Sequence, residues 1–514
     1  MNPQQQGPDP KRIFIAMTLV AFLLLGYEIF SSFFFKGTPQ QPVQQEKTEE
    51  PVKKQETPGG KKVEEPPTPQ LMLGTTREKH KPAETLKYSM GGFSVEISPK
   101  GGKIVSFVDE QFGFDLITDA EKKLNVYPLE IYTGDPDIDY DLNFGNYSVE
   151  RKDNRLILTF RKGKIKLTKE LEFKDAYVLL TVKGDLDKKF YVLVGTHPFE
   201  QSFYTHEGPV LKLNGEVVRI DKDDVSKREF IEGNIEFAGE ESRYFFKGFK
   251  GNIKRVVINK VNYKPEGEEG EKEITFTYVG YEEPLTLYMG AKYYSRLREL
   301  GLEDLLDWGM LKVAVKPLFI FMYWVYEHTG SWVLSIVILT FLLRVVFFPL
   351  NYKSTTSMMK LQQAAPQLEK IKKKYKDDPA KMQQEMMKLY SEIGFNPMSG
   401  CLPILVQIPV FFALYKVLII TVDLKLSGML WIPSLADKDP FYILPVIMGL
   451  TMILQQKVTP NPDPKQNLIM YISAVAFTFL FASFPSGLVL YWTVNNILNI
   501  GQNYLIKNVM LKKK

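Results

Sequence analysis

The chain has 514 residues, 45% of them hydrophobic, and a net charge of +5; it is long enough for roughly three domains and too weakly basic to imply nucleic acid, so no direct DNA binding is expected. Its single cysteine, Cys401, excludes an internal disulfide, so any exported part must be held together by its core. There is no P-loop, zinc-ligand spacing, Ser–His–Asp order or glycine-rich nucleotide motif, which argues against nucleotide hydrolysis and covalent catalysis and predicts no cofactor.

Lys11 and Arg12 precede an apolar run over 13–35, longer than a signal peptide and without a small-residue cleavage site after it. The segment 1–36 is therefore expected to be a short cytoplasmic N-terminus followed by an uncleaved signal anchor. Residues 37–84 are rich in Pro, Gln, Glu, Lys and Thr. Such a composition cannot offset the entropy of ordering, and a disordered, extended tether is expected. From 85 to 292 the pattern turns two-periodic. FSVEISPKGGKIVSFV predicts two strands around Gly101-Gly102, and LILTF, KIKLTKELEF and YVLLTVKGDL predict successive strands with turns at Asp153-Asn154 and Lys174-Asp175. A large all-β antiparallel sandwich is expected. Its two histidines, His197 and His206, lack a recognisable acidic pattern and are read as structural rather than as a sugar site.

Between 293 and 330, Leu302, Leu305, Leu306, Met310 and Val313 recur at helical spacing with acids between them. This predicts an amphipathic helix at the membrane surface, followed by an apolar run, 317–326, too short to span. The run 332–350, WVLSIVILTFLLRVVFFPL, within 331–351, is long enough to cross a bilayer and holds one charge, Arg344. An arginine in hydrocarbon costs roughly 2.5–3.5 kcal/mol even on the lenient insertion scale. It either snorkels to the headgroups or faces protein or water and marks a pathway, with Thr340 on the same helix face.

Residues 352–396 predict a soluble helical hairpin. Pro366 interrupts its first helix, and Asp378 caps a second that starts at Pro379. Leu361, Leu368 and Tyr375 face Met382, Met386, Leu389 and Ile393. Nine lysines stand against five acids in this hairpin, which places it in the cytoplasm. Four more apolar runs follow within 401–506, and the tail 507–514 ends in three lysines. Lysine-rich and lysine-poor loops alternate, which predicts six transmembrane helices with both termini in the cytoplasm. Arg344, Thr340, Gln407, Lys416 and Asn495 lie at membrane depth. Each is costly against lipid, and a shared wet cavity is one economical solution. Interhelical hydrogen bonding is the other solution for the asparagines.

The stretches SIVILTFLLRVVFFPL, QQEMMKLYSEIGFNPMSGCLPILVQIPVFFALYKVL, DPFYILPVIMGLTMILQQK and FPSGLVLYW closely resemble the YidC family of membrane protein insertases of Gram-negative bacteria. The resemblance implies five spans around a hydrophilic groove and a periplasmic β-supersandwich of galactose-mutarotase type. Arg344 falls on the family's groove arginine, and Gln407 on the glutamine of its third span. Thr340 and Trp492 fall where members contact the incoming helix; tyrosine is frequent at the latter position. With Asn495 these form the expected substrate groove. The implied function is insertion and folding of inner-membrane proteins, alone or with the Sec translocon and its accessory subunits. Nascent membrane proteins, the lipid bilayer, and the ribosome and signal-recognition receptor at the cytoplasmic face are the implied partners. A transporter would call for internal repeats across two halves, and a membrane-anchored carbohydrate-active protein for convergent acids and histidines; neither pattern is seen.

Overall fold

The structure is a computed structural model that describes residues 84–510, apart from 176, 185, 187–188, 198–204, 266–269, 283, 310, 397–401 and 459–463. The expected signal anchor, nearly all of the tether, Cys401 and the last residues of the basic tail lie outside the described residues. The contacts divide the chain after Leu306 into two units.

The first unit is mostly β-sheet. Strands β1 (Leu86–Met90), β2 (Phe93–Ser98), β3 (Lys103–Asp109) and β4 (Phe114–Asp115) form a 4-stranded sheet in that order. A 12-stranded sheet is built from β5 (Ile131–Tyr132), β6 (Ser148–Lys152), β7 (Arg155–Lys162), β8 (Ile165–Phe173), β9 (Val178–Gly184), β10 (Tyr191–Gly195), β11 (Gly208–Leu213), β12 (Glu216–Arg219), β13 (Arg228–Glu241), β14 (Phe245–Tyr263), β15 (Lys272–Gly280) and β16 (Leu285–Ala291). Its spine runs β12-β11-β13-β14-β16-β9-β8-β7-β6. The 19-residue β14 pairs with β16 over its first part and with β15 over its second, where the sheet branches. Alternation in β8 buries Leu167, Lys169, Leu171 and Phe173 on one face, as the period of two requires. Val126, Tyr132, Tyr191, Leu193, Val257, Phe276 and Tyr278 belong to one buried cluster of the core.

The unit is not all-β. Helix α1 (Asp119–Leu124) starts in a capping box between Thr118 and Glu121, and α2 (Pro136–Phe144) starts at the N-cap Asp135 with proline in its first turn. Helix α3 (Tyr294–Leu300) ends at Gly301 in the left-handed region, φ 60°. A single 3-10 turn follows at Glu303–Leu305. The expected amphipathic helix through 316 is therefore broken. Gly301 and Gly309, φ 65°, both adopt the conformation that ends helices at little cost, and the apolar residues Leu302, Leu305 and Leu306 are buried.

The second unit is helical: α4 (Lys312–Thr329), α5 (Trp332–Val346), α6 (Phe348–Gln363), α7 (Ala365–Lys374), α8 (Pro379–Glu392), α9 (Leu402–Ile420), α10 (Val422–Lys425), α11 (Ile443–Val458), α12 (Pro464–Phe481) and α13 (Ser486–Leu505). The run expected to be too short to span lies inside the 18-residue α4, with Pro317 in its first turns. Among the described residues no single helix is long and apolar enough to cross a bilayer. The expected span 331–351 breaks at Phe347, where α5 and α6 meet at 66° and qualify only together. Pro349, at the start of α6, explains the break: it cannot donate to the preceding turn and its ring crowds it. Leu361 of α6, Leu368 of α7 and Leu389 of α8 form the buried centre of the hairpin region, with Met358, Ile371, Met386 and Ile393 around it. The side chain of Asp378 accepts from the Lys381 amide and caps α8.

Candidate functional site

Helix α13 is the axis of the helical unit, packed on α5, α9 and α11. Its N-terminus is fixed by the loop between α10 and α11: the amides of Ser486 and Gly487 donate to the carbonyls of Asp437 (2.6 Å) and Leu435 (2.8 Å). Gly487 permits a close approach here, since a Cβ would lie 2.6 Å from Leu418 Cδ2 and 3.3 Å from Ile336 Cδ1. Asn496 donates to Thr451 Oγ1 of α11 at 3.0 Å, and Asn503 accepts from Thr355 of α6 at 3.0 Å. These two asparagines, seven residues apart, tie α13 to its neighbours, as polar groups in membrane helices commonly do.

A second face of α13 carries Asn495, Asn499 and Gln502, spaced i, i+4 and i+7, which places three amides in one row. Arg344 of α5 reaches this row. Its Nε donates to Asn495 Oδ1 at 3.0 Å, and Nη2 to the Asn495 carbonyl at 2.9 Å. Nη1 lies 3.4 Å from Asn499 Oδ1 and 3.5 Å from Gln502 Oε1. All these partners are neutral. Among the described residues no carboxylate lies within ion-pair distance of Arg344. Its charge is thus solvated by amide dipoles but not cancelled. Lys416, the other cation expected at membrane depth, differs: it pairs with Asp307 at 2.9 Å.

The remaining expected site residues are distributed around this centre. Gln407 of α9 donates to the Tyr491 hydroxyl, which is buried on α13. Trp492 packs in an aromatic cluster, with its ring 5.8 Å from Phe411 and 5.2 Å from Phe481. Thr340 is 1% exposed and its hydroxyl donates to the Ile336 carbonyl at 2.6 Å, so it turns back on its own helix. Arg344 and Asn495 are brought together directly, whereas Gln407, Trp492 and Thr340 make no bond to Arg344. The sequence reading missed Gln502 and Tyr491. The signal for Gln502 was present in the 495, 499, 502 spacing.

Each histidine of the β unit has an acidic neighbour that the sequence did not reveal. His197 is buried 3.5 Å from Glu240, and His206 lies 3.2 Å from Asp221 and 3.1 Å from the Pro209 carbonyl.

Two family models match the chain: the YidC periplasmic domain over residues 91–321 and the 60Kd inner membrane protein over 324–514. The membrane protein insertase YidC of Aquifex aeolicus is 59% identical, with 98% of this chain and 96% of the relative covered. The same-named protein of Wolinella succinogenes is 32% identical, again over 98% and 96%. A crystal structure described as an active YidC insertase with its first transmembrane domain resolved superposes with a TM-score of 0.41 at 18% identity, covering 82% of this chain and 92% of that one. On identity and coverage together, the chain belongs to the YidC family of membrane protein insertases.

Proposed function

We propose that this insertase receives nascent membrane proteins in a hydrophilic groove whose working charge is Arg344, and releases their apolar segments sideways into lipid. The observation that carries the reading is the neutral coordination of Arg344 by Asn495, Asn499 and Gln502. An arginine already neutralised by an acid would have little attraction left for a substrate; one held by amides keeps its full charge.

In this reading the chain is a polytopic inner-membrane protein of six spans, with the β unit in the periplasm and both termini in the cytoplasm. Five spans enclose the groove, which Arg344, Gln407, Asn495 and Trp492 line, with Thr340 buried in its wall on the helix of Arg344. A short acidic tail enters from the cytoplasm, and Arg344 partly offsets its loss of hydration. The apolar segment behind it partitions into lipid, gaining about 25 cal/mol per Å² of apolar surface removed from water. The membrane potential adds a pull on the acidic tail. No nucleotide is needed for these steps. The lysine-rich hairpin over 352–396 faces the cytoplasm, where the ribosome and the signal-recognition receptor deliver substrate; for longer substrates the Sec translocon and its accessory subunits act with the insertase. The β unit takes no part in the transfer step.

The test is insertion of a short single-span substrate by the purified chain in liposomes. Arg344→Lys keeps the charge and loses the planar fork; Arg344→Ala loses both. Lys should keep much of the activity on acidic tails and Ala little, while neutral tails depend less on the residue. Thermal unfolding of each variant separates misfolding from lost capture. A stable Ala variant that inserts acidic tails at the wild-type rate would refute the proposal.

A further inference from the structure

The two ends of the Arg344 guanidinium are held unequally. Nε and Nη2 make bonds of 3.0 and 2.9 Å to Asn495, close to the optimum for N–H···O. Nη1 has only the longer approaches of 3.4 and 3.5 Å to Asn499 and Gln502, where the hydrogen bond is weak. Asn495 therefore anchors the side chain, and Nη1 is the corner whose partners exchange most easily. Gln502 adds a second feature. Its Nε2 is shielded from solvent and has no hydrogen-bond partner, a state that costs free energy unless something occupies it. The unfilled amide donor and the loosely held guanidinium nitrogen belong to side chains that touch.

We infer that Arg344 Nη1 and Gln502 Nε2 together form the docking site for one substrate carboxylate, with Gln502 as a specificity-determining residue. The carboxylate displaces two long, neutral contacts and gains a charge-assisted bond to Nη1, about twice as strong as a neutral one. Its second oxygen takes the amide donor that the empty site leaves unsatisfied. A neutral amide on the substrate would only exchange one weak contact for another, so the pair discriminates acidic tails from neutral ones. Gln502 lies three residues before the end of α13 at Leu505, toward the cytoplasmic side in the six-span arrangement. An entering tail therefore meets it before Asn495. Asn499 has a different role, as a placeholder that occupies Nη1 while no substrate is bound. This inference rests on the proposed role of Arg344 in capturing acidic tails.

The experiment compares insertion of two matched single-span substrates by the purified full chain in phosphatidylethanolamine–phosphatidylglycerol liposomes. One substrate carries aspartates in its translocated tail, the other asparagines at the same positions. The quantity read is the ratio of their rates. Gln502→Met deletes the donor at similar volume and should lower the ratio a few-fold. Gln502→Glu deletes the donor and adds an internal anion for Nη1, and should lower it by roughly tenfold, the gap between charged and neutral hydrogen bonds. Asn499→Leu removes only the placeholder and should hold or raise the ratio. The thermal midpoint of Gln502→Met should stay near wild type while the ratio falls, a combination that a merely structural role would not give. A wild-type ratio in a folded Gln502→Met variant overturns the inference, as does equal loss of both substrates with a lowered midpoint. If Arg344→Ala abolishes acidic-tail insertion while the Gln502 variants keep the ratio, the docking site fails and the arginine's role survives. If Arg344→Ala itself keeps the ratio, both fail.

Discussion

Lys169 sits at an inward position of β8 and is fully buried, where alternation alone predicts an apolar side chain. Its ammonium lies 2.8, 2.9 and 2.8 Å from the carbonyls of Gly101, Gly102 and Leu129, with the Tyr147 ring 5.0 Å away. Lys103 and Lys247 are buried in the same unit but have carboxylates, Glu130 at 3.0 Å and Glu121 at 2.7 Å. Burial pushes the Lys169 pKa down to about 7, against about 10.4 in an unfolded chain. Between those values the unfolded chain binds more protons than the folded one, so stability rises with pH across that window. Lys169→Met removes the titration and should flatten the profile. From pH 7.5 to 9 the wild type should gain on the order of 1–2 kcal/mol over the variant, read as hydrogen-exchange protection of β8 corrected for intrinsic rates. Equal slopes would mean that the three carbonyls, which match the three N–H donors of an ammonium, hold the charge against burial. None of this was legible in the sequence, because the partners are backbone carbonyls of distant turns. Arg344 was legible because a charge inside an apolar run is conspicuous, but its amide partners lie about 150 residues away in α13.

At the level of elements, the hairpin was easiest to read. Asp378 before Pro379 specifies a cap through local chemistry, and the cap is present. The stretch after β16 was hardest. Leucines at helical spacing suggested one amphipathic helix, yet Gly301 and Gly309 divide it. Its first part is bound into the β unit: Arg219 donates to the Leu305 carbonyl at 2.9 Å, Lys212 pairs with Asp304 at 3.2 Å, and Leu297 and Leu305 are fully buried. A β-domain boundary at 292 would cut these contacts, whereas one at 306 keeps them. A fragment spanning 84–306 should therefore be soluble and unfold cooperatively. Burying a leucine contributes about 1.5–3 kcal/mol, and 1 kcal/mol moves the midpoint of a domain this size by roughly 2–4 °C. The fragment 84–292 should then melt roughly 10 °C lower or fail to fold, as followed by far-UV circular dichroism. Equal midpoints would show that α3 and the turn after it add nothing to the β unit.

For the whole molecule, lysine placement and helix geometry bear on the arrangement by different routes. Lysine counts in short loops report which side of a membrane each loop occupies, and they do so without any knowledge of packing. Helix lengths do not give the same answer by themselves, because α5 ends at the Phe347 bend and α13 carries amides along two faces. Hydropathy summed over a single straight helix therefore undercounts helices that bend or that turn polar groups toward partner helices, where those groups are satisfied rather than exposed to lipid. The six-span arrangement can be tested independently of any helix assignment. With Cys401 replaced by serine, single cysteines at Lys370 in the hairpin and Glu150 in the β unit, both exposed, should differ sharply toward an impermeant thiol reagent in intact cells. Glu150→Cys should label at once, and Lys370→Cys only after the inner membrane is permeabilised. If Lys370→Cys labels in intact cells as fast as Glu150→Cys, the hairpin is not cytoplasmic. The lysine argument then fails, and with it the entry of acidic tails past Gln502 from that side.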